Sequence, residues 1–349
     1  MEGQITYSFQ PGPSQLLPAV EYWTQVALKE GLLSRYHRDA VWKGIFRKAQ
    51  EALSRYLDLP EGWLVTFVSS ATEAWQILAD AAADMYSLHI VQGEFGKRWY
   101  SLQKAVSSEA KILEVAFESP LREQLIAADI QHRAIQYLAV VHVETSVGAW
   151  IPTLGMLREI FPKAIIAVDA TSSMGGIQIP WRAVDMAFAS VQKCFGLPPG
   201  LGILVLSPQA VSTFRDHPRV RYNSLGYLIR QAERHEPIHT PNLLGIFLAA
   251  QVYSASSESV REVENRLLAR SAFLYEAFER KGFQAFLPPA YRSPTVLTFR
   301  WRFREEAQVL RVKAHAEGLY VGWGYGLYKE ETFRVANFPA LPDEAYERL

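Results

Sequence analysis

One lysine of the sequence lies where a buried amine could react covalently. Lys193 follows the apolar run 186–191 and precedes a turn rich in glycine and proline, residues 196–200. Burial at a strand end disfavours the ammonium form and lowers the pKa of the amine. The neutral amine is the form that condenses with an aldehyde, so Lys193 is a candidate for Schiff-base chemistry. A solvated surface lysine, the alternative, fits poorly between an apolar strand and a tight turn.

An aspartate ends another apolar run. Asp169 closes residues 164–169, and a buried acid is costly unless a cation pairs with it. A protonated ring nitrogen of a bound heterocycle would supply that cation, and such a ring acts as an electron sink. A helix cap or a structural ion pair is the alternative interpretation of Asp169.

Three weaker signals follow other apolar runs. Ser70 and Glu73 have the spacing of a capping box, and a helix N-terminus can bind an anion such as a cofactor phosphate. Phe95 could lie flat against a planar ring. Thr145, in the polar cluster 142–148, could bond a phenolate or phosphate oxygen. Taken singly, the first two signals are more typical of an ordinary helix cap and a core aromatic, and His142 fits as a buried structural histidine.

Short apolar runs that alternate with amphipathic stretches position these residues. Near-continuous apolar runs are typical of strands covered by helices on both faces, and their alternation with helices predicts a mostly parallel, doubly wound α/β sheet. Ligands of such sheets bind beyond the carboxyl ends of the strands. The predicted strands are 64–68, 89–92, 111–117, 137–144, 164–169, 186–191 and 202–206, and predicted helices include 71–85 and 98–107.

The pattern changes near residue 245. A long helical region, 243–281, precedes a predicted strand at 295–300, a helix at 305–318 and a strand at 332–336. We therefore expect a large domain over residues 15–245 and a small α+β domain formed by residues 1–14 and 246–349. The proline-rich, extended segment 7–18 is expected to pack on the small domain.

Composition narrows the class of protein. The 349 residues contain 36 basic and 36 acidic side chains, so no global field favours nucleic acid or an anionic membrane. The N-terminus shows no secretory pattern, and no apolar run approaches the roughly 20 residues of a spanning helix. Cys194, the single cysteine, gives no disulfide and no metal-ligand spacing. A cytoplasmic protein without a metal centre is expected.

The order and spacing of the five sites resemble the class V aminotransferases of fold type I, the branch that contains phosphoserine aminotransferase. The resemblance runs from the segment 9–13 to the segment 333–337, and its most specific part is the interval from Asp169 to Gln192-Lys193. It implies pyridoxal 5'-phosphate as cofactor and a mostly parallel, seven-stranded sheet with helices on both faces plus a small α+β domain.

The resemblance also implies roles for the matched residues. Lys193 would hold the cofactor and shuttle the catalytic proton, Asp169 would pair with the ring nitrogen, and Phe95 occupies the place of the family's usual stacking tryptophan. His239 and Thr240 would reach the cofactor phosphate of a neighbouring subunit, which implies a homodimer with shared active sites. The remaining cofactor contacts would come from Ala71, Thr72, Thr145 and Gln192.

Substrate would be bound by Arg334, which matches the position that clamps the α-carboxylate, and by His37 and Arg38, which resemble a His-Arg pair of the phosphoserine branch. A second His-Arg pair is usual there six residues before the carboxylate arginine. Leu327 and Tyr328 replace it here, so the cofactor assignment is stronger than the assignment of a phosphorylated substrate.

The expected activity is transamination between an amino acid, plausibly glutamate, and a 2-oxo acid, with phosphoserine and 3-phosphohydroxypyruvate as the leading pair. Transfer from serine or alanine to glyoxylate or pyruvate is the nearest alternative, and a lyase on the same scaffold stays open. Cysteine desulfuration is disfavoured because Cys194 adjoins the lysine and lacks a mobile loop. A non-catalytic relic would be expected to have lost the lysine, the aspartate or the arginine, and all three are present.

Overall fold

The computed structural model describes residues 6–128, 135–217, 221–303, 309 and 312–349. Residues 312–316 are also helical, and this short helix carries no label. The strands are β1 (Tyr7–Phe9), β2 (Leu64–Val68), β3 (Ser87–Val91), β4 (Ala110–Glu114), β5 (Tyr137–Val141), β6 (Val143–Glu144), β7 (Ala149–Trp150), β8 (Ile165–Asp169), β9 (Met186–Ser190), β10 (Gly202–Leu206), β11 (Gln284–Ala285), β12 (Val296–Arg300), β13 (Leu319–Trp323) and β14 (Thr332–Ala336). The helices are α1 (Ala19–Lys29), α2 (Ala40–Tyr56), α3 (Ala71–Ala81), α4 (Glu94–Val106), α5 (Leu121–Ala127), α6 (Leu154–Ile160), α7 (Pro208–Phe214), α8 (Leu225–Ala232), α9 (Leu243–Ser254), α10 (Val260–Arg280) and α11 (Asp343–Glu347).

The larger sheet has seven strands in the order β2-β10-β9-β8-β5-β3-β4. Strands β9, β8, β5, β3 and β4 run parallel, whereas β10 is antiparallel to both of its neighbours. The predicted mostly parallel, seven-stranded sheet is thus confirmed. The carboxyl ends of the five parallel strands meet at one edge, where Asp169 ends β8 and Ser190 ends β9.

Side chains of β8 alternate between two hydrophobic cores because successive residues of a strand point to opposite faces. Ile166 and Val168 pack into the core that also contains buried residues of α2 and α9. Ile165 and Ala167 pack on the other face, with buried residues of α3, α7 and α8. Both faces are therefore covered by helices, which explains why β8 reads as a continuous apolar run.

The smaller sheet has the order β1-β13-β14-β12-β11, with β1 parallel to β13 and the other pairs antiparallel. Its core joins strand residues such as Phe299 and Phe333 to Leu274 and Phe278 of α10. Arg334, in the middle of the central strand β14, faces the larger domain, since its Nη1 donates to the carbonyl of Thr145.

Two sequence-based expectations of helices need correction or lie partly outside the described residues. The predicted helical region 243–281 is two helices, because the chain leaves the helix after Ser254 and restarts at Ser259, which forms a capping box with Glu262. Of the predicted helix 305–318, residues 305–308, 310 and 311 are outside the described part of the chain.

The division into residues 15–245 and residues 1–14 with 246–349 stays a prediction. Residues 246–253 of α9 lie in the core of the larger sheet, which favours a division after α9, whereas β1 joins the smaller sheet. Among the described residues, the helices are all too short or too polar to cross a membrane.

Candidate active site

The amine of Lys193 is buried where the parallel strands end. Its Nζ donates to Thr145 Oγ1 at 2.9 Å and to Ser172 Oγ at 3.0 Å, and these two hydroxyl oxygens are 2.5 Å apart. Burial lowers the pKa of Lys193 to about 8, and the nearby charge of Asp169 partly opposes this shift. At neutral pH a larger fraction of this amine is therefore neutral than of an ordinary lysine, and the neutral form is the one that condenses with an aldehyde.

The carboxylate of Asp169 is buried opposite the lysine and has two donors from the protein. Oδ2 accepts from Trp75 Nε1 at 2.8 Å, and Oδ1 accepts from the backbone N–H of Thr171 at 2.9 Å. Burial raises the pKa of Asp169, while the hydrogen bonds from Thr171 and Trp75 and the charge of Lys193 act in the opposite direction. A cation in the adjacent cavity would stabilise the ionised form further.

The first turn of α3 forms a second wall. Ser70 caps this helix by accepting from the N–H of Glu73 at 3.1 Å, as its spacing predicts. The reciprocal bond of the predicted capping box is shifted by one residue, because the Glu73 carboxylate accepts from the N–H of Ser69 at 2.6 Å. The N–H of Ala71 donates to Ser190 Oγ at 2.8 Å. Ala71 and Thr72 thus lie at a helix N-terminus, where an anion is favoured.

A buried glutamate holds the turn that presents Phe95. Glu144 accepts from the backbone N–H of Gly96 at 3.0 Å and of Phe95 at 3.4 Å, and from both the N–H and the hydroxyl of Ser146. Ser146 Oγ in turn accepts from the N–H of Glu94. These bonds fix the start of α4, so that Lys193 Nζ lies 5.4 Å from the centre of the Phe95 ring.

Arg334 reaches the same cavity from the smaller sheet. Its Nε donates to the carbonyl of Trp323 at 2.6 Å and its Nη1 donates to the carbonyl of Thr145 at 2.8 Å. A guanidinium has five N–H groups, so three are left for a ligand. Burial lowers the pKa of Arg334 to about 10, and the side chain is therefore still charged at neutral pH.

The N-terminal segment closes the cavity over the lysine. Ser14 donates its N–H to the carbonyl of Gln192 at 3.1 Å. At Gly12, where φ is +147°, a Cβ atom would lie 2.9 Å from Lys193 Cε. Only glycine permits this close approach of the backbone to the lysine stem.

The cavity between these elements has a volume of about 410 Å³, within the range of small-molecule sites. Eight of the residues that the sequence singled out line it together: Ala71, Thr72, Phe95, Thr145, Asp169, Gln192, Lys193 and Arg334. The Oε1 atom of Gln192 is buried without a hydrogen-bond partner among the described residues, so it is available to a ligand.

Four of the selected residues do not line this cavity: His37, Arg38, His239 and Thr240. The pKa of His37 is lowered mainly by burial and then by the charges of Arg38 and His239. The three side chains are therefore near one another. Arg38 and Thr240 are exposed. These residues form a separate polar group on the surface of the chain.

Three residues of the site were missed in the sequence. Trp75 bonds Asp169, Ser172 bonds Lys193, and Tyr325 lines the cavity with its ring stacked on Phe95 at 5.3 Å. Trp75 lies four residues beyond Ala71 on the same face of α3, and this helical spacing is the signal that could have identified it. His142 is a neutral buried histidine, with its pKa lowered by burial to about 4 and both ring nitrogens bonded, to Ser173 and Trp150.

The arrangement suits a flat heterocycle with an aldehyde and an anionic group. Lys193 could bind the aldehyde, Asp169 the ring nitrogen, and the N-terminus of α3 the anion, while Arg334 is free to bind a carboxylate. Within the described part of the chain, no group of three or more His, Cys, Asp and Glu side chains could hold a metal ion.

Known proteins resemble the whole chain. The family profile named aminotransferase class-V matches residues 6–321. The chain is 25% identical to the phosphoserine aminotransferase of Rhodococcus jostii strain RHA1, over 98% of this chain and 92% of that protein. The crystal structure of a phosphoserine aminotransferase from Cytophaga hutchinsonii matches with a TM-score of 0.90 and 30% identity, over 100% of this chain and 97% of that one. Alanine–glyoxylate aminotransferase from Nostoc sp., with a TM-score of 0.83 and 22% identity over 100% of this chain and 94% of that one, shares the fold.

Proposed function

The chain belongs to the class-V aminotransferase family and is a pyridoxal-phosphate-dependent transaminase; from this premise we propose that it transfers an amino group between phosphoserine and 3-phosphohydroxypyruvate, with glutamate and its 2-oxo acid as the second pair. One observation carries the chemistry: a buried amine, a buried carboxylate and a free guanidinium, those of Lys193, Asp169 and Arg334, share one cavity. The similarity to phosphoserine aminotransferases across nearly the whole chain supports the choice of substrate.

The residues present fit pyridoxal phosphate. Asp169 is a buried acid that needs a cationic partner, Lys193 is a buried amine, and Ala71 and Thr72 lie at a helix N-terminus that favours an anion. We propose that Lys193 holds the aldehyde carbon, that Asp169 pairs with the ring nitrogen, and that Thr145 bonds the ring oxygen. Phe95 would cover the ring, and the phosphate would be held by Ala71, Thr72 and Gln192.

Lys193 is the base that moves the proton in this proposal. When bound, the pyridinium ring of the cofactor withdraws electrons from the substrate α-carbon and acidifies its proton. With a pKa of about 8, Lys193 Nζ can accept a proton from the substrate α-carbon and give it up again near neutral pH. The hydroxyl groups of Thr145 and Ser172 orient Nζ.

Arg334 and Asp169 bind and orient. The carbonyl groups of Trp323 and Thr145 hold the guanidinium of Arg334 in one orientation, which leaves a planar set of donors for the substrate α-carboxylate. Trp75 and the N–H of Thr171 hold both carboxylate oxygens of Asp169 in place. The N-terminal segment packs on the stem of Lys193 at Gly12 and donates to the carbonyl of Gln192 at Ser14, and we expect it to limit the access of water to the amine.

A second candidate is transfer from serine or alanine to glyoxylate or pyruvate. The usual second His-Arg pair is replaced by Leu327 and Tyr328, which are 80% and 37% exposed, so a phosphate contact at these two positions is missing. A lyase reaction in the same cavity is the remaining possibility, because it would use Arg334 and Lys193 just as a transamination does.

We further propose that the active form is a cytoplasmic homodimer with shared sites. His37, Arg38, His239 and Thr240 lie outside the cavity of their own chain, and a second subunit would bring them to its neighbour. Large apolar side chains near the N-terminus support a subunit contact there, because Tyr22, Leu28 and Tyr36 are each more than 60% exposed.

A half-reaction screen tests the substrate assignment. The holoenzyme is mixed with single amino acids, and conversion of the cofactor to its amine form is followed by absorbance. We expect the highest kcat/KM with phosphoserine, followed by glutamate. Faster conversion by alanine or serine than by phosphoserine would replace the leading proposal by the second candidate.

A further inference from the structure

Tyr325, at the rim of the cavity, contacts Arg98, which lies just outside the residues that line it. Tyr325, just after β13, stacks its ring on Phe95 of α4 with an interplanar angle of 24°. Its hydroxyl lies 3.5 Å from Arg98 Nη1, which donates to it. One face of the Tyr325 ring is thus held by Phe95, and its hydroxyl lies near the guanidinium of Arg98.

Arg98 is exposed and has an unused charge. Among the described residues, Tyr325 is its one hydrogen-bond partner, and no carboxylate lies within ion-pair distance. The adjacent cation, Lys97, differs in this respect because it pairs with Glu114 at 3.4 Å. Arg98 therefore keeps most of its five donors available for a ligand anion.

Arg98 does not itself line the cavity, but it lies next to the part of α4 that does. Phe95 and Arg98 are three residues apart, so they share one helix face, and Phe95 lines the cavity. The guanidinium of Arg334 lies 5.4 Å from the centre of the Tyr325 ring. Tyr325 thus has Arg334, the cation expected to bind the α-carboxylate, over its ring, and a second cation, Arg98, at its hydroxyl.

We propose that Arg98 and the Tyr325 hydroxyl bind the oxyanion on the side chain of the amino-acid substrate, whether phosphate or carboxylate. This inference rests on the proposed transamination and extends it to substrate class. An amino acid with its α-carboxylate on Arg334 would direct a second anion along the Tyr325 ring toward Arg98. A neutral side chain would leave Arg98 unpaired.

A carboxylate at the same rim opposes this attraction. The stem of Glu94 contacts Gly326, since a Cβ added there would lie 2.6 Å from Glu94 Cγ. The proposal therefore requires the planar donors of Arg98 to act at close range, because the summed charge of the rim is small. If long-range attraction by charge alone were responsible, removal of Lys97 would weaken the binding of anionic substrates as much as removal of Arg98.

The test compares Arg98→Ala, Arg98→Lys, Tyr325→Phe and the matched control Lys97→Ala in the half-reaction, using holoenzyme. The amino acids are phosphoserine, glutamate, serine and alanine. We expect Arg98→Ala to raise KM for the anionic amino acids that the wild type uses by about tenfold or more, from loss of a charge-assisted hydrogen bond. Its kcat, and its KM for serine and alanine, should change little.

Arg98→Lys should recover part of the loss, and Tyr325→Phe should show a smaller loss of the same selectivity. Lys97→Ala should leave the ratio of anionic to neutral substrates unchanged. A wild type that uses glutamate but not phosphoserine would contradict the proposed function, and Arg98→Ala would still be decisive through glutamate and alanine. Equal effects of Arg98→Ala on all substrates, equal effects of Lys97→Ala, or a wild type that uses neutral amino acids alone would overturn the inference.

Discussion

Lys193 and Asp169 are both buried, and each alters the electrostatics of the other. The charge of Asp169 raises the pKa of Lys193, but burial has the larger, opposite effect and lowers the pKa to about 8. The charge of Lys193 acts against the rise in pKa that burial imposes on Asp169. The site is therefore balanced between a charged and a neutral amine, which is the property that covalent binding of an aldehyde and proton transfer both require.

This balance predicts how the apoprotein takes up pyridoxal phosphate with pH. Because only the neutral amine reacts, the uptake rate should rise with pH and level off above a midpoint of about 8. In Asp169→Asn the carboxylate that raises the pKa of Lys193 is missing, so the midpoint should move to lower pH. Stopped-flow absorbance measures both rates. A midpoint near the ordinary lysine value, or an upward shift in Asp169→Asn, would contradict the assignment.

Residues that follow an apolar run could be selected from the sequence because the edge of a parallel sheet collects them. This applies to Asp169, Lys193 and Thr145. The partners that orient them could not be selected so easily, since their contacts join distant parts of the chain. Trp75 is 94 residues from Asp169, and a tryptophan inside an apolar helix face is indistinguishable from a core residue before the fold is known.

The helices and strands were predictable where burial imposes a simple pattern. Strands β2, β10 and β14 have the bounds that their apolar runs indicate, and α3 begins at the predicted Ser70 cap. β13 was missed, because its residues mix tyrosine, glycine and tryptophan and it pairs with β1 from the opposite end of the chain. The interruption between α9 and α10 lies between Ser254, where α9 ends, and Ser259, whose capping bonds start α10.

The start of α4 depends on Glu144, which leads to a prediction for this element. In Glu144→Gln, the amide NH₂ would face either the N–H of Gly96, which now donates to Oε2, or the N–H of Ser146, which now donates to Oε1. We expect a loss of about 1–3 kcal/mol in the free energy of unfolding of the apoprotein, together with weaker binding of the cofactor as Phe95 shifts.

Urea unfolding and titration of the apoprotein with pyridoxal phosphate measure these two quantities. The matched control is Glu123→Gln, which removes the same charge from the exposed first turn of α5 and should change neither quantity appreciably. A Glu144→Gln protein as stable as the wild type would show that the carboxylate does not hold the start of α4.

At the scale of the whole molecule, the chain carries more candidate site residues than its own cavity uses. Four of them lie on the surface, outside this cavity: His37, Arg38, His239 and Thr240. The sequence could supply these residues only through resemblance to the family, because no local pattern indicates a contact with a second subunit.

Hybrid dimers test it. Lys193→Ala and Arg38→Ala are each expected to be nearly inactive with phosphoserine. If the sites are shared, mixing and refolding the two variants should restore about one quarter of wild-type activity, because about half of the dimers are hybrids and each has one complete site. Activity that never exceeds the sum of the two parent proteins would indicate that Arg38 serves its own chain or no site.

Covalent attachment of the cofactor at residue 193 is the claim on which the rest depends. The most direct measurement is reduction of the holoenzyme with borohydride, proteolysis, and mass spectrometry of the modified peptide. We expect the cofactor mass on Lys193 alone, and no stable modification in Lys193→Ala. A modification on another lysine, or none in a wild-type protein saturated with pyridoxal phosphate, would contradict the account.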